Sequence, residues 1–454
     1  MVDNSRRTEI FETMPVKRAV LLQIIPSIAS QMVALIYNLA DTYFVGMLDD
    51  PVHTAAITIA FPSFLMLTAI SNLFGVGGAS AIARVLGKKE PEKARQISTL
   101  SFWGGVTVSI LFSLIFLVMA HPILSLSGAK EATYDVAFHY ARWVVILGGP
   151  FTVMNTLLAN LIRAEGSAAH ASIGVSMGGI LNILLDPIFV LPQFLGLGAE
   201  GAGIATAISN TGAALYFLSY LYRQRRETVL SIHPQYLRYA REHIVNVLSI
   251  GFPSALQYAL TVVAVAAQAK FVSAYPTEAI AALGIAKKLD QLPLYFSIGV
   301  ASGLLPLLAY NHSAGNITRR KQAFYFGGAI AVGFSLLCIA LYETMAPPLV
   351  GLFIEDSATV AYGASFLRIM VIAMPLMAIC YLLIIQFQAM GRARESLICS
   401  ILRKGALDIP VLFIMDKLLP LYGCMWVQPI VDTISLFVAG GFYIRLLRKE
   451  EQKT

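Results

Sequence analysis

Residues 18–46 read RAVLLQIIPSIASQMVALIYNLADTYFVG, an apolar run interrupted by Gln23, Pro26 and Gln31 near its start and by Asp41 near its end. About 20 apolar residues suffice for a helix to cross the hydrocarbon core of a bilayer, so the stretch predicts a membrane span. Residues 243–274, HIVNVLSIGFPSALQYALTVVAVAAQAKFVSA, open in the same manner, and Pro26 recurs there as Pro253. The correspondence continues along the chain: Ala55 and Ala56 recur as Ala281 and Ala282, Arg95 and Gln96 as Lys321 and Gln322, Pro150 as Pro375, and Gly166 as Gly391, at offsets of 225 to 227. Ordered matches at near-constant separation indicate a duplicated unit. An even number of spans per unit starts both copies on the same side of the membrane. Such parallel repeats are related by an axis along the membrane normal and place a substrate path between the halves.

Twelve apolar runs follow this plan, at 18–46, 53–86, 94–120, 132–160, 167–192 and 200–223, then at 243–274, 279–310, 320–345, 357–389, 396–418 and 421–446. The chain is 57% hydrophobic and 13% charged, against about 25% charged in an ordinary soluble domain, and its mean hydropathy is +0.71. The expected fold is an all-α integral membrane protein with twelve transmembrane helices in two six-helix lobes, related by a pseudo-twofold axis along the membrane normal. Residues 1–17 would form a polar cytoplasmic segment, 18–223 the first lobe, 224–242 a basic linker, 243–446 the second lobe and 447–454 a cytoplasmic tail.

A net charge of +7 could suggest nucleic acid, but the basic residues sort by membrane side. The amino terminus, alternate loops and carboxyl tail hold 26 Lys and Arg; the opposite loops hold only Lys130 and Lys417, and Arg142, Lys270, Lys287, Lys288 and Arg368 fall within spans. This asymmetry predicts a multi-pass protein of the cell inner (plasma) membrane with both termini cytoplasmic, in contact with the lipid bilayer and not with nucleic acid. The first apolar run is too long and too interrupted for a cleaved signal and should remain as a span. Cys338, Cys380, Cys399 and Cys424 have no metal-ligand spacing and are expected to be buried thiols. Short outer loops, and the lack of a P-loop, HExxH pattern or nucleophile elbow, argue against an enzyme and against direct use of ATP. Gly75 to Gly78, without the strand that a phosphate loop requires, read as close helix packing.

Chemistry is therefore sought where ionisable groups enter the membrane, since such groups are costly there and face a cavity or a partner. Asp41 lies about 23 residues into the first span and Asp186 about 19 into the fifth. At about 1.5 Å per residue from the same side, they reach a similar depth in the outer half. Asn182 precedes Asp186 by one helical turn on the same face, and Thr206 reaches this depth from the outside. Two carboxylates, an amide and a hydroxyl form an all-oxygen set suited to a hard cation such as Na⁺ or to a shared proton. The second half carries another set, Lys287, Lys288, Asp290, Arg368, Asp408 and Asp432, whose opposite signs fit either structural ion pairs or substrate and coupling roles. Prolines within spans free backbone carbonyls that neighbours or water must satisfy.

The segment Tyr37-Asn38-Leu39-Ala40-Asp41-Thr42-Tyr43-Phe44-Val45-Gly46, with Pro26 before it and Asn182 and Asp186-Pro187 later, resembles the multidrug and toxic compound extrusion (MATE) family over the whole chain. Within it, the chain looks similar to the bacterial MepA-like branch. The resemblance implies a V-shaped pair of lobes that exchanges H⁺ or Na⁺, entering, for small organic and often cationic substrates, leaving. No other cofactor is expected, and a monomer would suffice. It also implies a cation or proton site at Asp41, Asn182, Asp186 and Thr206 with Tyr37 nearby, coupled to bending of the first helix at Pro26. Acidic sites that some relatives carry in the second lobe have no clear counterpart. Other readings are a lipid-linked oligosaccharide flippase of related architecture, which the basic residues within spans would suit, and an intramembrane transferase or hydrolase.

Overall fold

The computed structural model describes residues 9–48, 50–272 and 274–452. The first lobe comprises Val16–Gly46 (α1), Pro51–Gly87 (α2), Pro91–Leu126 (α3), a bent α4 made of Glu131–Ala141, a π-helical turn Arg142–Leu147 and Gly149–Ala164, then Ala168–Val190 (α5) and Gly198–Arg223 (α6). The second comprises Ala240–Val272 (α7), Thr277–Ser313 (α8), Ile317–Gly351 (α9), a bent α10 of Ser357–Val371 and Ala373–Ala389, a broken α11 of Ala393–Ile401, Leu402–Ala406 and Asp408–Leu418, and Gly423–Glu451 (α12). Eight of these helices have the length and apolarity to span a membrane, and the bends of 49° in α4 and 41° in α10 give two further, broken spans. With α6 and α11, twelve crossings form two six-helix lobes.

The breaks follow from the sequence. Pro150 and Pro375 sit at equivalent places, and each ring clashes with the carbonyl four residues back, at Ile146 and Val371, where α4 and α10 bend. The duplication also persists in backbone irregularities. Met119 (φ −108°, ψ 21°) and Met345 (φ −117°, ψ 16°) both leave helical geometry, three residues before Pro122 and Pro348. Left-handed φ values recur in register too, at Lys89 (63°) and Gly315 (77°), and at Gly166 (93°) and Gly391 (72°). All four cysteines are free and buried.

The lobes meet along α1 against α8 and α2 against α7. Gly77 on α2 and Gly303 on α8, equivalent residues of the two repeats, admit backbone from across the seam. A Cβ at Gly77 would collide with the Val247 carbonyl, and one at Gly303 would stand 2.7 Å from the Gln23 carbonyl oxygen and 2.8 Å from Ile24 Cα. Both lie in the half nearer the face that carries the basic loops. Toward the opposite face, the furthest hydrogen bond between the lobes among the described residues is Asn38 Nδ2 to Tyr295 Oη, 3.4 Å, at mid-depth. The space between the lobes is thus closed toward the basic face.

A strap reinforces that closure. Residues Glu9–Thr13 form a π-helical turn, and Phe11, only 1% exposed, stacks on Tyr310 with ring centroids 4.8 Å apart. The Phe11 carbonyl accepts from Asn311 Nδ2 (3.2 Å) and Arg319 Nε (2.7 Å), and the Ile10 carbonyl from Arg319 Nη2 (2.9 Å). Glu12 accepts from Lys89 of the first lobe and from Tyr310 Oη of the second (2.5 Å). The expected terminal segment is therefore a clasp across both lobes. Lys89 and Tyr310 hold the Glu12 carboxylate below its usual range. A depressed carboxylate stabilises above its ordinary value and loses that contribution as pH falls through the lowered one. Glu12→Gln should lower the thermal midpoint by a constant small amount between about pH 5 and 8, worth up to about 1 kcal/mol for so exposed a pair. The difference should begin to shrink as pH falls below about 4 and disappear only below the lowered value.

Candidate functional site

The first lobe brings Asp41, Asn182, Asp186 and Thr206 together at its interior. Helix α5 lies close to α1 because position 179 is glycine: a Cβ there would stand 2.8 Å from Val33 Cγ1 and 3.2 Å from Tyr37 Cδ1. Gly201 does the same for α6, against the Phe189 carbonyl on α5. One turn apart on α5, Asn182 Nδ2 donates to Asp186 Oδ1 at 3.2 Å, and the same nitrogen stands 3.5 Å from Thr206 Oγ1 on α6. Asp186 is fully buried, Asn182 nearly so, and Asp41 half-buried.

Three buried acceptors are left without a donor: Asp41 Oδ1, Asp186 Oδ2 and Asn182 Oδ1. The charges of Asp41 and Asp186 act directly on each other, and both act on the Tyr37 and Tyr140 hydroxyls. Burying a carboxylate oxygen without a partner is expensive, so two such groups in one chamber call for a proton or a hard cation between them. Among the described residues no three His, Cys, Asp or Glu side chains gather. The unpartnered acceptors are carboxylate and amide oxygens, a type that suits H⁺ or Na⁺ better than a soft transition metal.

Several residues of this site escaped the depth argument. Tyr140, on the first part of α4, lies within the field of both carboxylates. Asn210, one turn beyond Thr206, donates to the Thr206 carbonyl (3.1 Å) and accepts from Asn155 Nδ2 (2.8 Å), extending the polar track into the lobe. The available signal was an amide inside an apolar run, which in isolation reads as helix packing.

Of the second-lobe candidates, Arg368 stands apart from the others. Arg368 is 45% exposed, lies 3.8 Å from the Glu343 carboxylate and donates to the Glu343 carbonyl, so it belongs to the periphery. Asp408 accepts from the Gly405 amide (2.7 Å) at the break in α11, where Gly405 adopts φ 123°. Lys287 and Asp290 lie half-buried on α8, and the further charges that act on them are those of Lys404 and Asp408 for Lys287 and of Lys404, Asp432 and Arg403 for Asp290. Asp432 pairs with Arg403 at 3.1 Å, both within the bundle and almost without exposure. Breaking a buried pair strands one charge and costs about 3–5 kcal/mol. Asp432→Asn is therefore expected to lower the thermal midpoint far more than Arg368→Gln, measured on purified protein in detergent.

The MatE family model matches this chain twice, over residues 26–188 and 253–414. The chain belongs to the MatE family. The two matches are the two repeats. The MatE chain is 32% identical over 438 residues to the multidrug export protein MepA of Staphylococcus aureus, covering 96% of this chain and 95% of that protein. Its structure is similar to that of an outward-facing multidrug resistance MATE transporter of the MOP superfamily, with a TM-score of 0.91, 26% identity and 99% of each chain covered. It also resembles a MATE protein in a straight conformation, with a TM-score of 0.89, 25% identity and the same coverage.

Proposed function

We propose that this MatE protein is a secondary active multidrug exporter that admits H⁺ or Na⁺ and expels organic, often cationic, compounds by alternating access, acting as a monomer with its basic face in the cytoplasm. The carrying observation is the facing pair Asp41 and Asp186 with three acceptor oxygens that lack donors, inside the first lobe of a protein closed on its basic side. Membership of the family and the similarity to exporters support the direction of transport. In this reading Asp41, Asn182, Asp186 and Thr206 hold the coupling ion, and Tyr37 and Tyr140 line its chamber.

Coupling would run through α1, which carries Asp41 above and Pro26 below. Helix α1 is continuous over 31 residues through Pro26, where the Leu22 carbonyl lacks its usual amide donor. That missing bond makes Pro26 the softest point of the helix. Loading the carboxylates would remove their repulsion, let α1 bend there and reshape the chamber that holds the drug. A monovalent ion moving inward gains about 2.3 kcal/mol per 100 mV, and a monovalent cationic drug moving outward loses the same amount. One-for-one exchange would therefore draw only on the concentration gradient, whereas two ions per drug would also use voltage.

The flippase reading needs a cationic lining for pyrophosphate, but Arg142 is paired with Glu200 at 2.8 Å and Arg368 lies beside Glu343. The test is reconstitution in liposomes with a fluorescent organic cation, imposing a Na⁺ gradient and a pH gradient separately. Efflux driven by one of them names the coupling ion. Efflux under neither would overturn the antiporter reading and turn attention to lipid-linked cargo.

A further inference from the structure

The repeats supply two equivalent notches at the basic face of the seam. Tyr310 and Asn311 on α8 correspond to Arg84 and Val85 on α2 at an offset of 226, and Gly166 corresponds to Gly391 at 225. In the first notch, Phe11 packs between Gly166 and Tyr310 while Glu12 and the Ile10 and Phe11 carbonyls satisfy Lys89 and Arg319. An acceptor-bearing, anionic piece of the chain's own start thus fills that seat. The second notch is a cavity of about 380 Å³, lined by Arg84 and Lys88 from the first lobe and by Asn246, His312, Ser313 and Met390 from the second.

Its chemistry is one-sided, because no carboxylate lines it. Arg84 donates from Nε to the Ser80 carbonyl (3.3 Å) and from Nη2 to the Asn246 amide oxygen (2.8 Å), and its guanidinium lies where a Cβ on residue 391 would stand. Lys88 is exposed, and among the described residues neither Lys88 nor Arg84 has an ion-pair partner. The nearby cations Arg320 and Arg392 are matched by Glu450 and Glu395, each at 2.8 Å or less. The notch lies at the ends of α2, α8 and α10, on the side that the positive-inside rule assigns to the cytoplasm. Phospholipid phosphates lie at that level, and basic pockets between helices there bind anionic headgroups.

We propose that this second notch binds the phosphate of an anionic phospholipid headgroup, or inorganic phosphate of the same chemistry, between Arg84 and Lys88 at the seam of the two lobes. The ligand takes the place that Glu12 and the strap occupy in the related notch. Because both lobes contribute to the lining, the notch is complete only when the basic face is closed. By linkage, its ligand favours that state over the one with separated lobes. The binding does not depend on which ion drives transport, so it can fail or hold independently of the antiporter reading.

The test uses the full-length protein in nanodiscs of phosphatidylcholine with and without phosphatidylglycerol, with retained lipid counted by native mass spectrometry. Wild type should hold phosphatidylglycerol about fivefold better than Lys88→Gln and about twentyfold better than Arg84→Gln/Lys88→Gln, with no difference for phosphatidylcholine. The four native thiols are buried, so spin labels can be confined to Glu92→Cys and Arg394→Cys on the basic faces of the two lobes. Phosphatidylglycerol should enrich the short interlabel distance in wild type and not in the double variant. If millimolar inorganic phosphate in neutral nanodiscs reproduces that enrichment, the occupant is the soluble anion; if only phosphatidylglycerol does, it is the lipid. Equal phosphatidylglycerol retention by wild type and Lys88→Gln, whose side chain is exposed and unpaired, with distances unmoved by lipid or phosphate, overturns the proposal.

Discussion

Asp41→Asn is expected to reduce gradient-driven drug efflux to the passive leak while leaving the protein folded. The substitution keeps the shape of the side chain and removes the charge that faces Asp186. With one carboxylate neutral at all times, the pair can no longer alternate between a loaded and an unloaded charge state, so neither a proton nor Na⁺ has anything to drive. Asp186→Asn should have the same effect. Thr206→Ala should weaken transport without abolishing it, because the Thr206 hydroxyl stands at the long distance of 3.5 Å from Asn182. The comparison is made in liposomes under the gradient that drives wild type, with drug binding measured separately. Efflux by Asp41→Asn at the wild-type rate would remove Asp41 from the mechanism.

Gly303→Leu should produce the second large effect, through packing and not charge. Its Cβ would press on the Gln23 carbonyl and Ile24 Cα only while the lobes are closed at the basic face. Overpacking of this kind costs about 1–3 kcal/mol, which corresponds to about a fivefold to hundredfold shift away from the closed state. Labels on the basic faces of the two lobes should then report mainly long distances, and efflux should fall because the closed state is rarely visited. Gly333→Leu provides the control, since nothing lies within 4 Å of a Cβ at that position on α9. Similar distance distributions for the two variants would show that the seam does not depend on glycine.

The span plan, the repeat and the pairing of Asp41 with Asp186 were legible in the sequence for one reason. Hydropathy and residue counting fix depth along a helix, and each of these features is a matter of depth. Direction around a helix is less accessible, and it decides what a group at a given depth meets. Arg368 has a depth that would suit a chamber, yet it points outward to Glu343, and Asp408 turns back onto the broken backbone of its own helix. Tyr140, Asn155 and Asn210 were overlooked because a single buried polar group carries no sign of what it faces. The strap escaped for a different reason: in a short polar lead-in, Ile10 and Phe11 look incidental until Tyr310 and Arg319, some 300 residues later, supply their seat.

That strap bears on how the protein is handled at the bench. Whatever is fused ahead of residue 9 hangs from a segment seated against both lobes. An affinity tag or fluorescent partner at the amino end therefore pulls on the very contact that reports which way the molecule faces, and an assay built on it would measure a perturbed resting state. The other end, beyond Gln452, follows the Arg320–Glu450 pair within one lobe, and is the better place to attach a handle.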